Sequence, residues 1–190
     1  REWSAIAEFR SVPYTLKRNG YKTAMIGKWH LGQPWQAPLG FDHWMTFASG
    51  HTTDFWKNTI IENGDVSEIE GRHMVDYFGD KAVEYIQQLR KDDKPFFLQV
   101  SFDGPYMDPP TNMGPARNRH YAYYEHRTLS SFPGEAVSKN YIEQLVSFAK
   151  SNEDGAFLNR IIKMVIGNMV GDQATRANMA SQNTLVDDNV

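Results

Sequence analysis

Near the start of the chain Ala5, Ile6, Phe9, Val12 and Leu16 stand three or four residues apart, the spacing of one helical face. This predicts a helix over Ser4 to Asn19, which Pro13 could split in two and Gly20 ends. Tyr21 to Ile26 reads as a short strand, and Gly27 to Gly40 as a long loop. Between Phe41 and Val66 aromatic and polar residues alternate loosely, which predicts short strands or a lid, with a tight hairpin turn at Asn63-Gly64. Val75, Phe78, Ala82, Ile86 and Leu89 form the apolar stripe of a helix over Arg72 to Lys91. Phe96 to Phe102 is nearly all apolar, the pattern of a strand buried on both faces of a parallel sheet. Asp103 to Phe132 is irregular, and Ser138 to Lys150 and Phe157 to Val190 return to helix-compatible sequence, the latter broken near Gly167 and Gly171. Helix followed by strand occurs twice, so the fold class is α/β.

Composition narrows the function. At 41% hydrophobic residues, with 5 Trp, 9 Tyr and 11 Phe, the chain has the makings of a packed core. A net charge of -3 gives no long-range attraction for nucleic acid or an anionic membrane, so neither is expected as a partner. With no cysteine, the chain can hold no disulfide, no thiolate metal site and no cysteine-derived nucleophile.

The chemistry concentrates in Gly20-Tyr21-Lys22-Thr23-Ala24-Met25-Ile26-Gly27-Lys28-Trp29-His30-Leu31-Gly32. If extended geometry continues to His30, then Lys28 and His30 share a face and Trp29 packs the other way. Lysine offers a point charge with three donors, and imidazole can donate to an oxyanion and move a proton near neutral pH. The pair suits a sulfate or phosphate ester; the plainer reading is a solvated lysine beside a packed histidine.

This stretch resembles the second signature of the formylglycine-dependent sulfatases, Gly-Tyr-x-Thr-x-x-x-Gly-Lys-Trp-His-Leu-Gly, at every fixed position. Pro38-Leu39-Gly40-Phe41-Asp42 and the ending Leu185 to Val190 resemble that family's continuation, so the likeness runs from about Ser11 to Val190. The resemblance implies an alkaline-phosphatase-like fold with a mostly parallel central sheet flanked by helices, of which residues 1–190 would be the central portion of the catalytic domain. It implies that Lys28 holds sulfate oxygens, and that His30 contacts the formylglycine nucleophile and takes a proton as sulfate is ejected. The nucleophile segment is expected upstream of Arg1 and the calcium-ligand segment beyond Val190, leaving residues 1–190 catalytically incomplete alone. Substrates would be sulfated carbohydrates or small aryl or alkyl sulfates, and the location periplasmic or secreted. Lys28→Ala and His30→Ala are expected to lower turnover and leave the thermal midpoint nearly unchanged.

The sequence also departs from the family. Where many sulfatases have Pro-His after the buried strand, this chain has Pro105-Tyr106, and a phenol is a poor acid at neutral pH. Tyr106 could bind the leaving-group oxygen, stack on a sugar, or simply pack; His51, His120 or His126 could supply the missing acid. By topology, Tyr106 is expected near Lys28 and His30, since both segments follow predicted strands. Arg117 and Arg119, with Tyr121, Tyr123 and Tyr124 beyond, read as a loop for an anionic carbohydrate or as a solvated loop pinned by aromatic packing. Trp29, Trp35, Trp44 and Trp56 read as packing residues, and Asp187-Asp188 as a solvated helix end. The alternative functions are a phosphate or phosphonate monoester hydrolase of the same superfamily, and a non-catalytic sulfatase-like binding module.

Overall fold

A computed structural model describes residues 9–31, 34–35, 39–52, 54–106, 116–129, 147 and 173–190. The chain divides into two compact units, Arg1–Gly104 with Val186–Val190, and Pro105–Leu185.

The first unit is built on a five-stranded sheet in the order β4-β3-β2-β1-β5. Its strands are β1 (Lys22–Gly27), β2 (His43–Phe47), β3 (Lys57–Glu62), β4 (Asp65–Glu70) and β5 (Phe96–Ser101). β1 pairs in parallel with both β2 and β5, and the β3–β4 hairpin is antiparallel, so four of the five strands point the same way. The hairpin turns at Asn63-Gly64, both at positive φ (51° and 103°), as the sequence predicts. β1 is buried on both faces. Ala24 and Ile26 pack with Met45, Phe47 and Ile60 against Phe78, Ala82 and Tyr85 of α2 (Met74–Leu89), while Met25 packs with Trp29, Phe41 and Trp44 on the opposite side.

Two expectations need correcting. Phe96 to Phe102 is half-buried, because β5 has one strand neighbour among the described residues. The first helix, α1 (Val12–Arg18), begins later than its apolar spacing suggests: the Ser11 side chain caps it by accepting from the Tyr14 N–H, and Pro13 opens the first turn rather than breaking the helix. Residues 1–8 lie outside the described residues, as do those expected to form the helix over Ser138 to Lys150, apart from Ser147.

Thr23 of the signature ties β1 to the approach to β2. Its hydroxyl donates to Gly40 O at 2.6 Å, and its N–H donates to Asp42 Oδ2 at 3.1 Å. Burial pushes the Asp42 carboxyl up, but the Lys17 ammonium at 2.6 Å and the Thr23 donors outweigh it and hold the carboxyl below the usual carboxylate range. A depressed carboxylate contributes stability above its unfolded value, and that contribution is lost as pH falls through the folded one. Asp42→Asn is therefore expected to cost about 1 kcal/mol near neutral pH, a cost that shrinks below about pH 4. Urea midpoints of both forms at the two pH values check it; a pH-independent difference would exclude the charge.

The second unit contains α3 (Tyr121–Tyr124) and α4 (Gln173–Asp187). The polar face of α4 holds irregular backbone in place. Asn178 Oδ1 accepts from Ala116 N–H at 2.6 Å, Ser181 Oγ from Asn118 Nδ2 at 3.2 Å, and Gln173 Nε2 donates to Tyr124 O and Arg127 O.

Candidate functional site

Three loops of the first unit meet beyond the carboxyl ends of the parallel strands β1, β2 and β5. This is where open α/β sheets gather ligands, because the chain turns away there and leaves a crevice.

β1 ends at Gly27, whose φ is +109°. A Cβ at this position would lie 2.1 Å from the Ser101 carbonyl oxygen, so only glycine lets β1 and β5 approach this closely. That carbonyl then accepts the Lys28 N–H at 2.7 Å, fixing where the lysine leaves the sheet. The next N–H, of Trp29, donates to Gly50 O at 2.8 Å, and the Trp29 ring packs edge-on to Trp44 at 4.8 Å. The expected alternation holds in burial: Lys28 is partly buried, Trp29 is 6% exposed and His30 is exposed, although the ladder itself stops at Gly27.

The Lys28 ammonium lies 2.9 Å from Asp103 Oδ1. Asp103 follows β5 and is buried, and its other oxygen accepts the Thr52 N–H at 2.8 Å. Thr52 adjoins His51, whose ring stacks on that of His30 at 4.9 Å with the planes 20° apart. His51 is held in turn by its own turn: Ser49 Oγ donates to His51 O at 2.5 Å. Lys28, Asp103, Thr52, His51 and His30 thus form one connected set, bringing together three of the residues singled out in the sequence.

This arrangement overturns one expectation. Lys28→Ala cannot be neutral for stability, because Asp103 would be left buried without its counter-charge. Sequence reasoning passed over Asp103 and Thr52. The signal for Asp103 was its position, an acidic residue just past an apolar strand at the sheet's ligand-binding end.

In the second unit the Tyr106 backbone is clamped by Gln182, whose Oε1 accepts the Tyr106 N–H at 2.5 Å and whose Nε2 donates to Tyr106 O at 3.3 Å. Arg117 and Arg119 are both exposed. His126 is solvent-facing beside Glu125, and the His120 N–H is held by Asn118 Oδ1. Trp29 and Trp44 are core residues, but Trp35 is 60% exposed, contrary to its expected packing role. Asp187 and Asp188 lie exposed at the end of α4. No group of three or more His, Asp or Glu side chains converges on a metal-sized site among the described residues, so none of these is assigned to a metal ion. No helix among them is long and apolar enough to cross a membrane.

A protein-family model for sulfatases matches residues 2–166. An N-acetylglucosamine-6-O-sulfatase of Bacteroides thetaiotaomicron is 33% identical over 116 residues, covering 55% of this chain and 19% of the relative. An ulvan-active sulfatase of Formosa agariphila is 32% identical over 100 residues, covering 48% of this chain and 19% of the relative. The chain thus spans about a fifth of the length of these curated relatives. Among solved structures, a protein in complex with its substrate D-glucosamine-2-N,6-O-disulfate superposes with a TM-score of 0.53 at 22% identity, covering 96% of this chain and 45% of that one. The last likeness establishes the fold, the alkaline-phosphatase-like α/β architecture expected from the sequence.

Proposed function

Because this chain belongs to the sulfatase family, we propose that the complete protein is a sulfuric ester hydrolase that removes sulfate from a sulfated carbohydrate or a small sulfate ester. The observation that carries the reading is the connected set beyond the carboxyl ends of β1, β2 and β5, in which the signature's Lys28 and His30 flank a backbone hydrogen-bonded through the Lys28 and Trp29 N–H groups. Lys28 donates hydrogen bonds to the sulfate oxygens, with its ammonium oriented by Asp103. His30, open to solvent on one side and stacked on His51 on the other, moves the proton when sulfate leaves the enzyme.

A formylglycine nucleophile and a calcium ion belong to the same reading, and neither is assigned to a described residue. When bound, the calcium would supply positive charge to the sulfate oxygens. Tyr106, Arg117 and Arg119 of the second unit carry the chemistry for contacts with the carbohydrate: an aromatic face and forked donors. A sulfated carbohydrate outside the cytoplasm is the substrate this reading favours, with the protein periplasmic or secreted, in keeping with the extracellular sulfatase among its relatives.

Incubating the complete protein with 4-nitrophenyl sulfate and a panel of sulfated mono- and oligosaccharides, and measuring released sulfate, tests this reading. Release from at least one is expected, and release from none would sink it. His30→Ala should lower turnover by roughly 10². Its thermal midpoint should be unchanged, because the side chain is exposed.

A further inference from the structure

We propose that Asp103 is a specificity-determining residue: its buried negative charge, paired with Lys28, shifts the preference of the oxyanion site towards a singly charged sulfate ester and away from a doubly charged phosphate monoester of the same shape. The inference rests on the reading of Lys28 as the group that holds sulfate oxygens. It begins from a chemical difficulty. Both esters present tetrahedral oxygens with the same geometry to hydrogen-bond donors, and a lone ammonium attracts the dianion more strongly than the monoanion. A lysine by itself would favour the wrong substrate.

The structure alters that balance. Asp103 is 3% exposed, so water screens its charge poorly. It cannot swing away, because the Thr52 N–H holds Oδ2 at 2.8 Å while Oδ1 faces the Lys28 ammonium at 2.9 Å. The carboxylate offsets part of the ammonium's attraction, and does so once for each negative charge that enters, so the advantage of a dianion over a monoanion is smaller than beside a lone lysine. At a separation of ~6 Å and an effective dielectric of about 20, that offset corresponds to roughly 10² in affinity per unit charge. Charges elsewhere in the complete site are common to any two variants and cancel when the ratio for the two esters is compared between them.

The test is the ratio of kcat/KM for 4-nitrophenyl sulfate to that for 4-nitrophenyl phosphate, measured at pH 8 on the complete protein and on Asp103→Asn. The substitution keeps the shape and an acceptor for Thr52 and removes only the charge. A shift towards the phosphate ester of tenfold or more is expected; a smaller shift, or one towards the sulfate ester, overturns the proposal. Should the variant fail to fold, Asp103→Ser, which likewise removes the charge, is compared with the unaltered protein in the same way. In such a variant the affinity for benzenesulfonate, a monoanion, relative to that for phenylphosphonate, its dianionic counterpart at that pH, should fall at least tenfold from its value in the unaltered protein, and an unchanged or increased ratio overturns the proposal. If the complete protein hydrolyses neither ester, the two anions, read by thermal shift on the unaltered protein and the variant, still decide the charge preference, while sulfate release from the saccharide panel decides the sulfate-ester reading.

Discussion

Lys28→Ala in the complete protein is expected to lose both turnover and stability, and the two losses should be separable. Turnover should fall by about 10² to 10³, the usual effect of removing one preorganised donor from a developing or transferring anion. Stability should fall on the order of 2 kcal/mol, below the range for a fully buried pair because the Lys28 side chain keeps 29% exposure while Asp103 has 1%. The separation comes from Lys28→Ala combined with Asp103→Asn. With no buried charge left uncompensated, the double variant should recover most of the lost thermal midpoint but none of the turnover. Equal midpoints for Lys28→Ala and the unaltered protein would mean that the ion pair does not stabilise the fold. Near-normal turnover of Lys28→Ala would remove the lysine from the site.

The largest stability effect is expected at Gly27. Gly27→Ala would force an L side chain to a φ of +109° and set its Cβ 2.1 Å from the Ser101 carbonyl oxygen and 2.8 Å from the carbonyl carbon. These atoms are backbone in the neighbouring strand, so no side chain can rotate away. Relief requires prising β1 from β5 at the point where Ser101 O also receives the Lys28 N–H. The cost should be on the order of 4 kcal/mol or more, seen as loss of soluble protein or of a cooperative urea transition. Gly64→Ala supplies the control. Gly64 has nearly the same φ, +103°, in the hairpin turn but open space around it. Its substitution should cost only the conformational part, about 1 kcal/mol. Similar costs at the two sites would show that the close approach at Gly27 is unimportant.

What could be read from the sequence was local. β1, the Asn63-Gly64 hairpin, α2 and β5 each announce themselves within about a dozen residues, through periodicity or turn chemistry. α1 was over-extended because apolar spacing alone does not locate the Ser11 cap. The site divides in the same way. Lys28 and His30 lie in one contiguous signature, whereas Asp103 enters only because β5 pairs beside β1, and His51 could be flagged singly but not matched to His30. Contacts between residues dozens of positions apart are set by topology, and single-sequence patterns carry little of it. Trp35 went wrong for another reason: tryptophan is mostly buried on average, but one position in a loop need not be.

The β3–β4 hairpin also governs how this sheet meets other molecules. Among the described residues β4 is an outermost strand, and its outer side is a template on which another extended chain could stack. Its sequence, Asp65-Val66-Ser67-Glu68-Ile69-Glu70, puts three carboxylates on six largely exposed residues, with a single well-exposed aliphatic side chain, Val66. A second such strand docking there would bring like charges into register and strip water from them. These charges therefore guard the hairpin against aggregation by opposing intermolecular growth from β4, away from the carboxyl ends of β1, β2 and β5 where Lys28 and His30 lie.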